Sequence, residues 1–261
     1  MDLSLGSLRP IVAVLHAQLA ALAPSKDFFF FENSLYILAK SSCFADDFNV
    51  VVFKPDRLAE GQLDELLSLF DRKPFVCYLE ASRQAPLAAQ LQAKGFLYCA
   101  APSAMLITSN ALQPPSIDGP FSFCIATQIE PLRRWSACLA QIFDPTEELF
   151  LAYAKALLAI PSACFLPLMV LHDDQVVAAM LLLCKGSLAY LSFLGVDLQW
   201  RKKGIARALS AYACQLAFQR GVATCSLLAA PAAEASYAAI GFAKEEPFLF
   251  LEYSSSPLRA P

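Results

Sequence analysis

A mixed α/β fold follows from three features of the sequence. Short apolar runs rich in β-branched and aromatic residues alternate with segments of helical periodicity. Three such runs follow one another with only brief polar breaks, as antiparallel hairpins require. A strand, a helix and a strand then succeed each other late in the chain, the pattern of a parallel crossover.

In the first part, strands are expected near residues 35–38, 50–53, 75–79 and 104–108, with helices near 5–22, 60–70 and 86–94. In the second, a strand at 121–127 precedes helices at 130–142 and 146–158. Strands at 165–171, 176–184 and 188–196 come next, the first two joined by His172-Asp173-Asp174 and the last two by Lys185-Gly186. An amphipathic helix from Gly204 carries Ile205, Leu209, Tyr212 and Leu216 on one face and stops at Arg220-Gly221. A strand at 222–228, a short helix after Pro231, a stop at Gly241 and a strand at 248–253 complete the pattern.

Pro114, Pro115, Gly119 and Pro120 crowd into one short stretch and divide the 261 residues into 1–112, a linker at 113–120, and 121–261. The two parts share a motif. Gln92-Ala93-Lys94-Gly95-Phe96 and its following strand parallel Ala238-Ala239-Ile240-Gly241-Phe242 and the last strand, which points to an internal duplication.

Composition narrows the function. The chain is 57% hydrophobic with a mean hydropathy of +0.49, yet no membrane span is expected. Gln175 and Lys185 close the run 176–184, and His16 and Gln18 interrupt 11–23. The apolar excess is assigned to buried strands and to an interface between domains or between subunits of a homodimer. Leu5, Leu8, Val12, Leu15 and Leu19 fall at helical spacing behind Asp2, so the N-terminal run reads as a helix rather than a secretion signal. Nine cysteines without a C-x-x-C pair read as reduced thiols of a cytoplasmic protein. Two histidines exclude a His-rich metal site, and no metal is expected. A net charge of -3 and the lack of a long basic helix face argue against nucleic acid as a partner.

The chemistry concentrates in one segment. Leu194, Gly195 and Val196 end a buried strand; Arg201, Lys202 and Lys203 form a basic turn; Gly204, Ile205, Ala206 and Arg207 open a helix. Free N–H groups at a helix start, the helix dipole and four nearby cations suit an anion such as a phosphate. Gly204 lets the backbone approach it, and Ala206 does not obstruct. Read alone, four basic residues at a helix start also describe a solvated surface. The strand before, the amphipathic helix after and a second motif downstream favour the anion site.

These residues resemble the GNAT superfamily of N-acyltransferases. Its Q/R-x-x-G-x-G/A motif is matched by Arg201, Lys202, Lys203, Gly204, Ile205 and Ala206, with an aromatic before it at Trp200. Its Tyr-x-x-hydrophobic-Gly-Phe signature is matched by Tyr237, Ala238, Ala239, Ile240, Gly241 and Phe242, and the resemblance covers roughly 121–253. It implies acetyl-CoA as cofactor, lying between two diverging strands, its pyrophosphate on residues 201–207 and its pantetheine arm along Leu194, Gly195 and Val196. It further implies Tyr237 as the acid that protonates the departing thiolate, in direct attack by a primary amine of a small-molecule or protein acceptor that stays open.

Two departures stand out. Where many relatives have an asparagine, this chain has Ala229-Ala230-Pro231; and the strand 188–196 lacks the glutamate that often serves as base. Glu130, Glu147, Glu148, Asp173 and Glu234 remain candidates, as does water. The alternative function is therefore a silent acyl-CoA sensor or an interaction module. The first part departs further: Asp56 and Glu60 stand in its corresponding loop, and Leu91 takes the place of Tyr237. It is expected to be a degenerate GNAT-like copy that binds no cofactor, so the fold expected is two GNAT-like domains in tandem.

Overall fold

The computed structural model describes residues 10–254 except 21, 24, 25, 27, 42–47, 72, 115, 116, 144, 145 and 160–163. The first half comprises helix α1 (Pro10–Ala20), strands β1 (Phe28–Glu32), β2 (Tyr36–Ser41) and β3 (Val50–Phe53), helix α2 (Gln62–Leu69), β4 (Phe75–Glu80), α3 (Ala85–Ala93), β5 (Leu97–Ala100) and β6 (Ser103–Thr108). The second comprises β7 (Phe121–Ile125), α4 (Ile129–Phe143), α5 (Glu147–Leu158), β8 (Cys164–His172), β9 (Gln175–Lys185), β10 (Leu188–Val196), α6 (Ile205–Gln219), β11 (Thr224–Ala229), α7 (Glu234–Ala238) and β12 (Ala243–Tyr253). Positions 5–9 of the expected first helix lie outside the described residues.

Most of the expected elements form where hydrophobic periodicity places them. β1 and β5 were not expected. The β1 run Phe28-Phe29-Phe30-Phe31 has no apolar and polar alternation, and β5 is largely solvent-exposed, so neither carries a period-two signal. The strand expected at 248–253 begins earlier, at Ala243.

Contacts divide the chain into two units, neither of them continuous. The major unit holds residues up to Ala21 and Ala104–Glu245; the minor unit holds Leu22–Ser103 and the chain from Glu246. The boundary expected at 113–120 thus falls inside the major unit rather than between the two. The reason is an exchange of elements. β6, the last strand of the first half, lies beside β11 in the major unit, whereas the last strand of the whole chain pairs with β4 in the minor unit, Leu251 opposite Cys77. Helix α1 also joins the major unit, packing on β9, β10 and β11.

Each unit repeats one pattern. In the minor unit β1, β2 and β3 are successively antiparallel and β3 is parallel to β4 across α2. In the major unit β8, β9 and β10 are successively antiparallel and β10 is parallel to β11 across α6, with β7 added beyond β8. The minor core gathers Leu66, Phe70, Phe75, Leu79 and Leu91 under its sheet, with the Phe70 and Phe75 rings stacked 4.1 Å apart. In the major core, Leu168, Met180 and Leu182 of the sheet meet Leu209, Ala213 and Cys214 of α6.

The duplication reaches individual hydrogen bonds. In the first half the N–H groups of Lys94, Gly95 and Phe96 donate to the carbonyls of Leu91, Gln92 and Leu91. In the second, those of Ile240, Gly241 and Phe242 donate to Tyr237, Ala238 and Tyr237, so Leu91 and Tyr237 are equivalent positions. Gly95 and Gly241 both take positive φ at this helix end, 91° and 105°. Gly61 and Gly204, at the starts of α2 and α6, are left-handed at φ 83° and 81°. The glycine conformation is shared and the charge is opposite, since Asp64 and Glu65 occupy the first turn of α2 and oppose an anion there.

Gly241 is the tightest of these positions. A Cβ placed on it would lie 2.0 Å from the Ala111 carbonyl oxygen, so backbone collides with backbone where φ already excludes other residues. Gly241→Ala is expected to destabilise the fold by about 3 kcal/mol or more. Denaturant unfolding of the variant against the parent chain measures it.

Candidate active site

β10 sets the site by breaking its pairing. Its parallel register with β11 is confined to Leu188, Ala189 and Tyr190 opposite Thr224, Cys225 and Ser226. Beyond Tyr190, β10 bulges against β9 between Ser192 and Gly195, and Phe193 takes φ 51°. A phenylalanine in that region costs about 1–3 kcal/mol. Ring contacts offset the cost, each worth about 0.5–1.5 kcal/mol: Phe193 sits edge-on to Phe150 at 5.5 Å, Tyr153 at 5.6 Å and Phe143 at 6.1 Å. The bulge leaves the β11-facing edge of residues 192–196 without ladder partners.

Into that gap opens a cavity of about 510 Å³. Leu194, Gly195 and Val196 form one side, Ala230, Ala233, Ser236 and Tyr237 the other, and Ile142 and Phe143 its wall. Gly195 lets this wall pack closely, because a Cβ there would stand 2.7 Å from Ile142 Cδ1 and the side chain would have to shift.

A second cavity of about 240 Å³ lies at the start of α6, lined by Trp200, Arg201, Lys202, Gly204, Ile205, Ala206 and Arg207 among others. Asp197 begins the turn: its N–H donates to Val177 O, and its Oδ1 accepts from Gln199 N at 2.9 Å. Lys202 and Gly204 both adopt positive φ, which folds the chain sharply before the helix. No side chain caps α6, so its first N–H groups are left for an incoming acceptor. Both cavities share Val196, Arg201, Ala206, Arg207 and Ser236.

Nine of the ten residues expected to bind cofactor line one cavity or both. Lys203 does not; its Nζ rests 4.3 Å from the centre of the Trp200 ring. Arg201 is partly committed as well, its Nε donating to Val196 O at 3.1 Å. Ile142, Phe143, Ala230, Ala233 and Ser236 were not anticipated. Ser236 had a signal, since it directly precedes Tyr237 at the end where that helix faces β10.

Tyr237 borders the larger cavity with its ring edge-on to Phe242 at 5.7 Å. Burial pushes its phenol up to about 12, with Cys214 adding to the effect. The candidate carboxylates stand elsewhere. Glu234 pairs with Lys244 at 2.7 Å and Asp173 with His172 at 3.2 Å, while Glu130 and Glu147, Glu148 occupy the first turns of α4 and α5. None of the five lines either cavity. Burial raises the thiols of Cys77, Cys124 and Cys138, the last to about 12, and a hydrogen bond to Cys225 together with burial raises Cys214. Among the described residues no group of three or more His, Cys, Asp or Glu could hold a metal, and no helix is long and apolar enough to cross a membrane.

An anion cradle at a helix start, opening onto the gap between two splayed parallel strands, agrees with what known sequences say. Residues 129–244 match the model of the acetyltransferase (GNAT) family. That match covers most of the second half. A GCN5-related N-acetyltransferase from Kribbella flavida superposes with a TM-score of 0.71 at 15% identity, over 95% of this chain and 96% of that one. A GCN5-related N-acetyltransferase from Sphaerobacter thermophilus gives 0.62 at 15%, over 95% and 94%. A tandem GNAT protein from the clavulanic acid biosynthesis pathway gives 0.61 at 12%, over 95% of both chains. At these identities the likeness establishes the fold, which is a tandem GNAT fold with a degenerate first copy. No curated protein matches the sequence.

Arg207 is the cation common to both cavities that has no hydrogen bond or ion pair among the described residues. Arg207→Gln is expected to weaken coenzyme A binding about tenfold or more, the scale of one lost charge-assisted hydrogen bond. Isothermal calorimetry with coenzyme A reads the change.

Proposed function

We propose that the GNAT-family domain transfers an acetyl group from acetyl-CoA to a primary amine by direct attack. The observation that carries this reading is the confluence of the two cavities, with cations and free helix N–H groups at one end and Tyr237 at the other. The residues fit the cofactor. Lys202, Arg207 and the N–H groups at the start of α6 would hold the diphosphate, and the unpaired edge of residues 194–196 offers backbone groups to an extended amide-bearing arm. When bound, acetyl-CoA supplies an acyl group activated as a thioester.

The chain's own residues do the rest. Ile142, Phe143 and Val196 line the inner space with apolar surface and exclude water. Tyr237 stays protonated at any working pH. A phenol at about 12 is a weaker acid than an ordinary thiol near about 8.5, so Tyr237 donates a hydrogen bond that stabilises the charge building on the departing sulfur, and the proton shed by the attacking amine balances the thiol released. Among the described residues no cysteine lines either cavity, which supports direct attack over a covalent acyl-cysteine route.

Thiol release from acetyl-CoA, followed across a panel of amines, tests the proposal. Coenzyme A should also raise stability, by about 2.7 kcal/mol at a hundredfold excess over its dissociation constant. Stabilisation with no turnover on any amine would favour a silent sensor, and no stabilisation an interaction module. Tyr237→Phe should cut kcat by about 10²–10⁴-fold with cofactor affinity retained. With the phenol raised, its proton is present below about 12 and lost only above it, so kcat should show no fall from this group up to about pH 10.

A further inference from the structure

We propose that Phe121, His172 and Trp200 form an aromatic pillar that positions the diphosphate-binding turn, with Lys203 as its clamp rather than a cofactor ligand. The inference rests on the reading of the cavity at α6 as the diphosphate site.

The pillar joins three segments distant in sequence. Trp200 ends the 3-10 turn Leu198–Trp200 and lines the smaller cavity beside Arg201 and Lys202. On its outer side the His172 ring lies 4.4 Å away, centre to centre, and the Phe121 ring meets it edge-on at 5.9 Å. Phe121 and His172 touch each other at 5.2 Å and are cross-strand partners on β7 and β8. Lys203 reaches back over the Trp200 ring.

The anchor beneath is itself tied down. His172 leads into the β8–β9 turn, where Asp173 and Asp174 both take positive φ, the conformation of a two-residue hairpin. From α4 the Arg134 guanidinium donates to the backbone carbonyl of Asp174 and to its carboxylate at 3.2 Å. Arg134 thus holds the turn at Asp174, and two residues earlier in that turn His172, paired with Asp173 at 3.2 Å, packs on Trp200, which carries Lys203.

Geometry explains why the turn needs this support. Lys202 is a side-chain-bearing residue at φ 63°, Gly204 follows at φ 81°, and no side chain caps α6. Such a bend persists only when its surroundings hold it. Among the described residues lining the smaller cavity, Trp200 is the one aromatic ring, and it packs on Phe121 and His172 of the sheet. Lys203 and Trp200 then face each other as ammonium on aromatic face, which fixes the residue between the two positive-φ positions. Trp200 is therefore a positioning residue: it acts on the cofactor through the turn and leaves the acyl-transfer step to other groups.

Three variants and two readouts test the pillar. Trp200→Ala should raise KM for acetyl-CoA about tenfold with kcat within about twofold, the pattern of lost uniform binding. Trp200→Phe, which keeps a ring for Phe121, His172 and Lys203, should restore most of the affinity. His172→Ala should weaken coenzyme A binding in the same direction by calorimetry, with its thermal midpoint showing that the chain is folded. Coenzyme A should alter tryptophan emission in the parent chain and not in Trp200→Phe, because the other tryptophan, Trp135, is fully buried with its indole N–H on Met180 O. Equal coenzyme A affinity in the parent chain, Trp200→Ala and His172→Ala would overturn the pillar and leave the cofactor site standing. A drop in kcat at unchanged KM would overturn it too. Failure of the parent chain to bind coenzyme A would overturn both readings together.

Discussion

Everything at the site depends on β10 parting from β11 after Tyr190. A parallel pair that stayed in register to its end would close the sheet and leave no gap between Val196 and Tyr237. The parting is enforced by a residue that does not fit a strand: Phe193, whose strained backbone is held by the rings of Phe143, Phe150 and Tyr153. The aromatic content of α4 and α5 is thus part of the site's construction, although only Phe143 reaches the cavity. Gly195 then admits the Ile142 side chain against its bare backbone, where a Cβ would require Ile142 and Phe143 to shift.

The two ends of the site solve different electrostatic problems. The turn at 201–207 concentrates positive charge, and the structure distributes it unequally: Arg201 bonds the carbonyl of Val196, Lys203 lies on Trp200, and Lys202 and Arg207 face the cavity. The Tyr237 end is apolar, and burial there favours a neutral phenol over a phenolate. One end is cationic, and the other is an apolar pocket that holds a neutral phenol.

Much of this was legible in the sequence, because it follows from local rules. Gly204 before Ile205 and Gly241 before Phe242 mark helix ends that only glycine satisfies, and the strands of the major unit obey their apolar periodicity. Less local features were hidden. β1 and β5 carry no alternation to detect. The exchange of β6 and β12 leaves no trace in composition, since a strand reads the same whichever sheet it completes. Spacing in sequence also does not reveal that Lys203 lies on the Trp200 ring. The cavity walls at Ile142 and Phe143 come from a helix some fifty residues upstream, and only the folded chain shows their contact with Gly195.

The traded strands have an evolutionary consequence. In a simple tandem protein a copy that lost its ligand could later be deleted, since its sibling would fold without it. Here the half with the acidic turn supplies β6 and α1 to the half with the basic one, and receives β12 in return. Its side chains are free to vary, while its polypeptide cannot be removed without taking a strand and a helix from the other half. The paired helix ends fit that constraint: the hydrogen bonds of Leu91 and Tyr237 coincide, and only one of the two residues carries a hydroxyl.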